Sequence, residues 1–381
     1  MRVVFPEPTL PKIEMRFPVP TFIFRFSNNV ICPGYLNDTF SLDEYKGNLR
    51  LFTTNDDENL VTILDKKLDK ISSIENLAKG ESIYSARFMK EAGYFVTYEQ
   101  VDPLFSVDLS NPEKPKILGK LKIPGFSEYL HFYGEDKLLG IGMSTDEESG
   151  VSEGVKITMF DITDRTDVKE ESTLVLDDLY GTNAVYNYKS VLADQQKNRI
   201  GFSGYSQNGE TYCLLTYNGK EKKFETILKE EINGNTSQGI RGIYIEDTLY
   251  VISGNIIEAY DMDTGKKKGD IILQLDPAVL PEQAEGYILD ATSGNIVLKA
   301  NSPAGILNAI QTFRQVLKVK DGRLIVQKST LTDYPVFSWR AFMLDEGRYF
   351  KGKEVVFDLL DEMAALKMNV FHWHLTDDQG W

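Results

Sequence analysis

A pair of short strands closed by an acidic or amide residue recurs five times in this chain, and no other feature restricts its fold as strongly. The pairs are 48–53 with 61–65, 94–98 with 104–108, 137–142 with 156–161, 199–204 with 213–218, and 248–253 with 256–261. Their closing residues, Asp65, Asp108, Asp161, Asn218 and Asp261, lie 43, 53, 57 and 43 positions apart. That interval is near the ~40–50 residues of a propeller blade and longer than the ~20–35 of helical solenoids. A blade of four short antiparallel strands has two apolar faces that it cannot bury alone, so blades stack radially around a channel. The repeat predicts a mainly β, multidomain chain with a partial β-propeller of about five blades over 43–273. Segment 83–126 is the clearest blade, with a turn at Asn111 and Pro112, and the first blade reads as one strand short.

Composition narrows the partners. A chain of 381 residues, 42% hydrophobic and 26% charged, has room for two or three cores. Its 57 acidic residues against 42 basic ones give a net charge of −15, and without a basic stripe nucleic acid is excluded as a partner. No stretch reaches the ~20 uninterrupted apolar residues of a membrane span. The apolar run 21–24 is too short, and too closely followed by Arg25, to read as a leader, so no signal peptide is visible. Residues 1–42 are rich in proline, show no periodicity and stay unassigned. Cys32 and Cys213 fit neither metal nor redox spacing and read as isolated thiols. No cofactor is expected.

Beyond 273 the pattern changes. Residues 285–289 and 295–300 read as strands separated by Ser293 and Gly294. Ser302 then reads as the N-cap, and Pro303 as the first residue, of a helix running through Ile306, Ile310, Phe313 and Leu317. Further on, 336–344 predicts a strand and 369–375 another. Between them 353–366 carries Val355, Val356, Leu359, Leu360, Met363 and Leu366 at helical spacing. Strand, crossover helix and parallel strand make a βαβ unit, and His374, Asp377 and Asp378 fall at its carboxyl edge, where α/β folds do chemistry. His372 and His374 share a strand face and with Asp377 form a zinc-like donor set. A packed histidine at 372, and a packing or hydrogen-bonding one at 374, are the better readings, and no metal is expected. Arg348 places a guanidinium suited to forked hydrogen bonds with adjacent sugar hydroxyls three residues after Asp345. An ion pair between Arg348 and Asp345 is the structural alternative.

The residue strings are more specific than their spacing. Trp339, Arg340, Leu344, Asp345, Arg348 and Phe350, followed by Asn369, Phe371, His372, Trp373, His374, Leu375, Asp377, Asp378, Gln379, Gly380 and Trp381, resemble the family 20 glycoside hydrolases, the exo-acting β-N-acetylhexosaminidases. Ala341 and Tyr349 depart from that pattern. The run AGILNAIQTFRQVL from Ala304 resembles the helix of the α/β domain that precedes the barrel in that family. The resemblance implies a partial α/β domain over 274–332 and the first strand, helix and strand of a (β/α)8 barrel over 333–381. It also implies glycans bearing N-acetylhexosamine as substrates, with Arg348 binding the sugar and Asp377 supporting the catalytic acid as a relay. Arg340, Asp345, Asp378 and Trp381 would hold the barrel mouth in place, with His374 in a supporting structural role.

That family hydrolyses with retention through the substrate's own acetamido group, assisted by an Asp-Glu pair on a later strand. No acidic pair in this sequence has the expected setting, so the polypeptide as given is expected to be inactive. Segment 43–273 resembles secreted bacterial β-propeller domain proteins through its Y-S-x-R-F, Q-V-D-P-L-F and K-I-P-G-F-S-x-Y-L-H strings, which implies a secreted or cell-surface location. Two alternatives stand beside the glycosidase reading. One is a non-catalytic propeller that binds a protein or a cell-wall glycan, and the other is a misjoined reading frame.

Overall fold

The computed structural model describes residues 34–381 apart from 56–57, 99–101, 124, 147–150, 233–238, 293, 321–322, 348 and 377–381. The described residues fall into two compact units. One runs to Gly254 and includes Tyr260–Lys267, and the other comprises Asn255–Ala259 and Lys268–Trp381.

The first unit is a succession of antiparallel meanders. Strands β1 (Leu42–Tyr45), β2 (Asn48–Asn55), β3 (Glu58–Leu64) and β4 (Lys70–Leu77) form one sheet in sequence order. Strands β5 (Ser82–Met89), β6 (Ala92–Tyr98), β7 (Asp102–Asp108) and β8 (Lys116–Ile123) form the next. The third holds β9 (Phe126–Phe132), β10 (Lys137–Thr145), β11 (Ser152–Asp161) and β12 (Lys169–Leu176). In the fourth, β13 (Gly181–Thr182) and β14 (Leu192–Asp194) both pair with β15 (Arg199–Tyr205), followed by β16 (Glu210–Asn218) and β17 (Lys223–Glu231). A fifth set opens with β18 (Ile240–Ile245) paired to β19 (Thr248–Ser253), and β20 (Ile256–Asp261) and β21 (Lys267–Leu275) follow in the chain.

Four of the five expected strand pairs are therefore the middle strands of their sheets. The first sheet is not a strand short. Its β1, LDEY, is only four residues long and largely polar, so it leaves no apolar alternation to read. The fourth sheet is the irregular one, because its first position is divided between β13 and β14 around an insertion.

The middle strands bury both faces, which is why they read as apolar runs. In β16, Cys213 and Leu215 join the core shared with the third sheet, while Tyr212 and Leu214 join the core shared with β18 and β19. In β6, Tyr94 and Val96 face the third sheet's Leu130 and Leu138, while Phe95 faces the first sheet's Phe52 and Val61. Successive strand residues point to opposite faces, so the second and fourth sheets each interlock with the one before and the one after. Burial pushes the Cys213 thiol up to about 12 and leaves it a packing residue.

The repeated acidic position is a turn device. Oδ1 of Asp65 accepts from the Lys67 and Asp69 amides at 2.8 and 2.9 Å, and that of Asp108 from the Ser110 amide at 2.9 Å. Asp161 accepts from the amide and hydroxyl of Thr163 at 3.0 and 2.6 Å. Asn218 takes the Lys220 amide at 3.1 Å, and Asp261 takes those of Asp263 and Thr264 at 3.2 and 2.9 Å. A short side chain that bonds to backbone two or three residues ahead closes a turn by itself. The Thr163 hydroxyl is the main cause holding the Asp161 carboxyl down to about 2.

In the second unit the last five residues of β21 pair in parallel with β23 (Ile296–Ala300). Strand β22 (Tyr287–Asp290) runs antiparallel to β23 and to β26 (Thr330–Asp333), while β24 (Lys318–Lys320) and β25 (Arg323–Ile325) form a separate hairpin. Helix α1 (Pro303–Val316) begins as its sequence predicts, with the Ser302 hydroxyl accepting from the Gly305 amide at 3.1 Å. It buries Ile306 and Ala309 against Tyr287, Leu289 and Leu298. A Cβ at Gly305 would stand 2.5 Å from the Gly286 carbonyl and 2.7 Å from the Ala300 Cβ, so only glycine permits this approach.

The remaining elements are β27 (Ala341–Asp345), α2 (Lys353–Ala365) and β28 (Val370–His374). As expected, β27 and β28 are parallel, with Ala341 opposite Val370 and Asp345 opposite His374. The first strand is shorter than its sequence suggests, beginning at Ala341 rather than 336. The carbonyls of Phe337 and Ser338 are taken by the Arg340 guanidinium at 2.7 Å and the Asn369 amide at 2.8 Å instead of a strand partner.

Candidate functional site

The site begins with the register of β27 and β28, which sets Asp345 and His374 side by side at the carboxyl ends of two parallel strands. His374 Nδ1 lies 3.1 Å from Asp345 Oδ1, and both side chains are partly exposed. The bond sets the orientation of the ring. Among the described residues no group of three His, Cys, Asp or Glu side chains is placed to hold a metal ion.

Glu346, one residue past Asp345, turns the other way and is fully buried. Its carboxylate accepts the Trp373 indole N–H at 2.6 Å and the Lys351 amide at 2.8 Å, while its own amide donates to the His374 carbonyl at 2.8 Å. The loop after β27 is thereby pinned to the end of β28. Sequence reasoning set Glu346 aside as one half of an acidic pair, and a carboxylate that partners an indole 27 positions away leaves no local signal.

Arg340 is the second anchor. Its guanidinium grips Glu285 with two bonds of 2.9 and 2.8 Å, and its Nε donates to the Lys367 carbonyl at 2.7 Å. Nearby, Lys367 Nζ reaches the Tyr287 hydroxyl and Thr312 Oγ1, each at 2.6 Å, and Asp333 Oδ2 at 3.3 Å. Burial works to raise the Asp333 carboxyl, but hydrogen bonds from Tyr287 and Lys367 outweigh it and hold the group below its ordinary value. Two sets of charge-assisted bonds thus tie the strand-helix-strand unit to the α/β segment before it.

Of the residues singled out in the sequence, the structure brings together Asp345 and His374 and places Arg340 in a framework contact away from them. His372 is exposed rather than packed, because in β28 it is Phe371 that enters the core with Val356 and Met363. Arg348, Asp377 and Asp378 lie outside the described residues.

Stacked four-stranded meanders, each closed by the same turn, define a β-propeller protein, here followed by a small α/β segment and a parallel strand-helix-strand unit. The chain belongs to the beta propeller domain family, whose model matches residues 15–265, and it carries a segment like the family 20 glycosyl hydrolases fused to that propeller. Domain 2 of family 20 matches residues 252–334 and its catalytic domain matches 337–381. An uncharacterized protein of Archaeoglobus fulgidus is 42% identical over 243 residues, covering 64% of this chain and 36% of that protein. A beta-hexosaminidase of Vibrio furnissii is 39% identical over 112 residues, covering 29% of this chain and 18% of that enzyme. Among solved structures, the Flavobacterium johnsoniae chitobiase matches at 36% identity over 30% of this chain and 18% of that one, with a TM-score of 0.26. The chain thus spans 36% or less of the length of each of these relatives.

Proposed function

We propose that the second unit is the opening part of a β-N-acetylhexosaminidase, acting on glycans that end in β-linked N-acetylhexosamine, and that the propeller is its attached partner module. In this reading the chain divides into 1–42, a propeller over 43–273, an α/β segment over 274–332 and the start of a barrel over 333–381. The observation that supports it best is the parallel register that sets Asp345 beside His374 at the carboxyl edge, the edge where α/β barrels carry their chemistry. Arg348 grips the terminal sugar's hydroxyls, Asp377 supports a general acid contributed from a later strand, and His374 with Asp345 holds the mouth in shape. The substrate's acetamido oxygen is the nucleophile, so the protein's work is to orient that group and protonate the leaving oxygen. A secreted or cell-surface location suits such substrates. Among the described residues no helix is long and apolar enough to cross a membrane.

The test is hydrolysis of a chromogenic N-acetyl-β-glucosaminide. The 381-residue polypeptide is expected to show no turnover, because general acid catalysis alone accounts for ~10²–10⁴ in rate and ground-state binding through Arg348 does not raise kcat. The same chain joined to the matching remainder of the Vibrio furnissii enzyme is expected to be active. In that chimera Arg348→Ala raises KM and Asp377→Asn lowers kcat. A folded chimera without activity overturns the proposal, and robust hydrolysis by the 381-residue chain shows that the catalytic carboxylates lie elsewhere.

A further inference from the structure

The fourth sheet departs from its neighbours at the insertion 179–192, which carries β13 and leads into β14. Beside it lies an open cleft of about 650 Å³ lined by Asp177, Asp178, Tyr180, Asn208, Lys229 and Glu231. Three tyrosines of this region face solvent, with Tyr180 66%, Tyr186 85% and Tyr188 46% exposed. Of these, Tyr180 lines the cleft, and a tyrosine ring with its polar tip suits a half-wet contact.

Tyr180 is held in a set orientation. Its ring stacks on Tyr205 with centroids 6.4 Å apart and planes at 25°, and its amide donates to the Tyr205 carbonyl at 2.9 Å. The Tyr205 hydroxyl donates to Asn183, whose amide group donates to buried Glu210 and, at 3.0 Å, to the Ser203 hydroxyl. A ring fixed before the ligand arrives costs little ordering when it binds. On the facing lip the turn 206–209 is closed by the Ser206 amide on the Gly209 carbonyl at 2.8 Å and by the Asn208 amide on the Ser206 hydroxyl at 3.3 Å. Its tip offers the Asn208 side chain, which both donates and accepts.

We propose that this cleft binds a neutral oligosaccharide, with one sugar ring stacked on Tyr180 and its hydroxyls bonded by Asn208, Asp177 and Glu231. Lys229 already pairs with Asp178, so the lining keeps an excess of negative charge that repels phosphates, acidic glycans and nucleic acid. Sugar hydroxyls donate and accept at once, as an amide beside carboxylates requires. The open form admits a chain running through it, where a small metabolite would need enclosure. A basic peptide meets the same carboxylates but gains little from the amide lip. The inference stands on the propeller alone and does not rest on the glycosidase reading.

The test is calorimetric titration of the full chain with N-acetylchitotetraose, cellotetraose and tetralysine. At least one of the two tetrasaccharides is expected to bind saturably and with little dependence on salt. Tyr180→Ala and Asn208→Ala are each expected to weaken that binding about tenfold, while Tyr180→Phe retains it. Thermal unfolding of each variant separates lost binding from lost fold, and Asn208→Ala carries the test if Tyr180→Ala unfolds. Binding of tetralysine alone, or of no probe up to about 10 mM, overturns the proposal. So does sugar binding that Arg348→Ala abolishes and Tyr180→Ala leaves intact.

Discussion

Tyr212 is wholly buried, and its hydroxyl occupies space that Gly242 leaves free, where any Cβ would collide with the ring tip. Gly201 makes the same allowance from its own sheet. Among the described residues the hydroxyl has no hydrogen-bond partner. Gly242→Ala is expected to destabilise the propeller by ~1–3 kcal/mol through overpacking. Tyr212→Phe removes a buried unsatisfied group and is expected to be neutral or to stabilise by ~1 kcal/mol. Urea unfolding of the two variants checks both, and a strongly destabilised Tyr212→Phe refutes the packing argument.

Arg340→Lys tests the anchor between the two parts of the second unit. A lysine cannot reproduce the two-pronged contact with Glu285. Loss of these bonds is expected to cost ~1.5–3 kcal/mol, read as faster amide exchange in β27 and β28. In a double-mutant cycle with Glu285→Gln the two losses should not add.

Glu346→Ala leaves the Trp373 indole N–H without its acceptor, at an expected cost of ~1–3 kcal/mol. Glu346→Gln keeps an acceptor oxygen and should lose less. A red shift in tryptophan emission for the alanine variant alone reports the freed indole.

Two groups on β9 oppose each other in pH dependence. Burial pushes the Glu128 carboxyl from 4.5 up to about 7, so the folded state holds a proton that the unfolded state releases, and stability falls as pH rises between those values. Burial, with the Arg87 guanidinium second, holds His131 from 6.5 down to about 4, so the unfolded state binds the extra proton and stability falls as pH drops through that range. The two slopes nearly cancel between pH 4.5 and 6.5. Glu128→Gln is expected to expose the histidine's slope, with loss on acidification. His131→Gln is expected to expose the carboxylate's, with loss as pH rises. Each amounts to no more than ~1 kcal/mol per pH unit once partial exposure is discounted. Urea midpoints at pH 4.5, 5.5 and 6.5 decide, and parallel profiles for both variants count against it.

The parts of this molecule legible in its sequence are those with local causes. Asp65, Asp108, Asp161, Asn218 and Asp261 announce their turns because each side chain bonds to backbone a few residues on. Ser302 and Pro303 announce a helix start for the same reason. Strand β1 leaves no signal in the sequence, because four residues with two adjacent acids at their centre show no period. Arg340 reads as part of a motif, but its partner Glu285 is 55 positions away, and no spacing rule joins them. Tyr180 and Asn208 belong to no recurring pattern, since the insertion and the turn that present them are where the fourth sheet abandons the repeat.

The five side-chain turns also bear on how the chain acquires its fold. Each closes the connection after a sheet's third strand using atoms only two to four positions apart, so that hairpin needs no distant segment to begin forming. Chains dominated by near-neighbour contacts fold faster than those that must first close long loops. Each of these hairpins thus has a local starting point, while burial of a meander's faces waits on the sheets beside it, as in a one-dimensional array. Losing one of these five side chains is therefore expected to slow a single local step, and the hairpins on either side keep their own starting points.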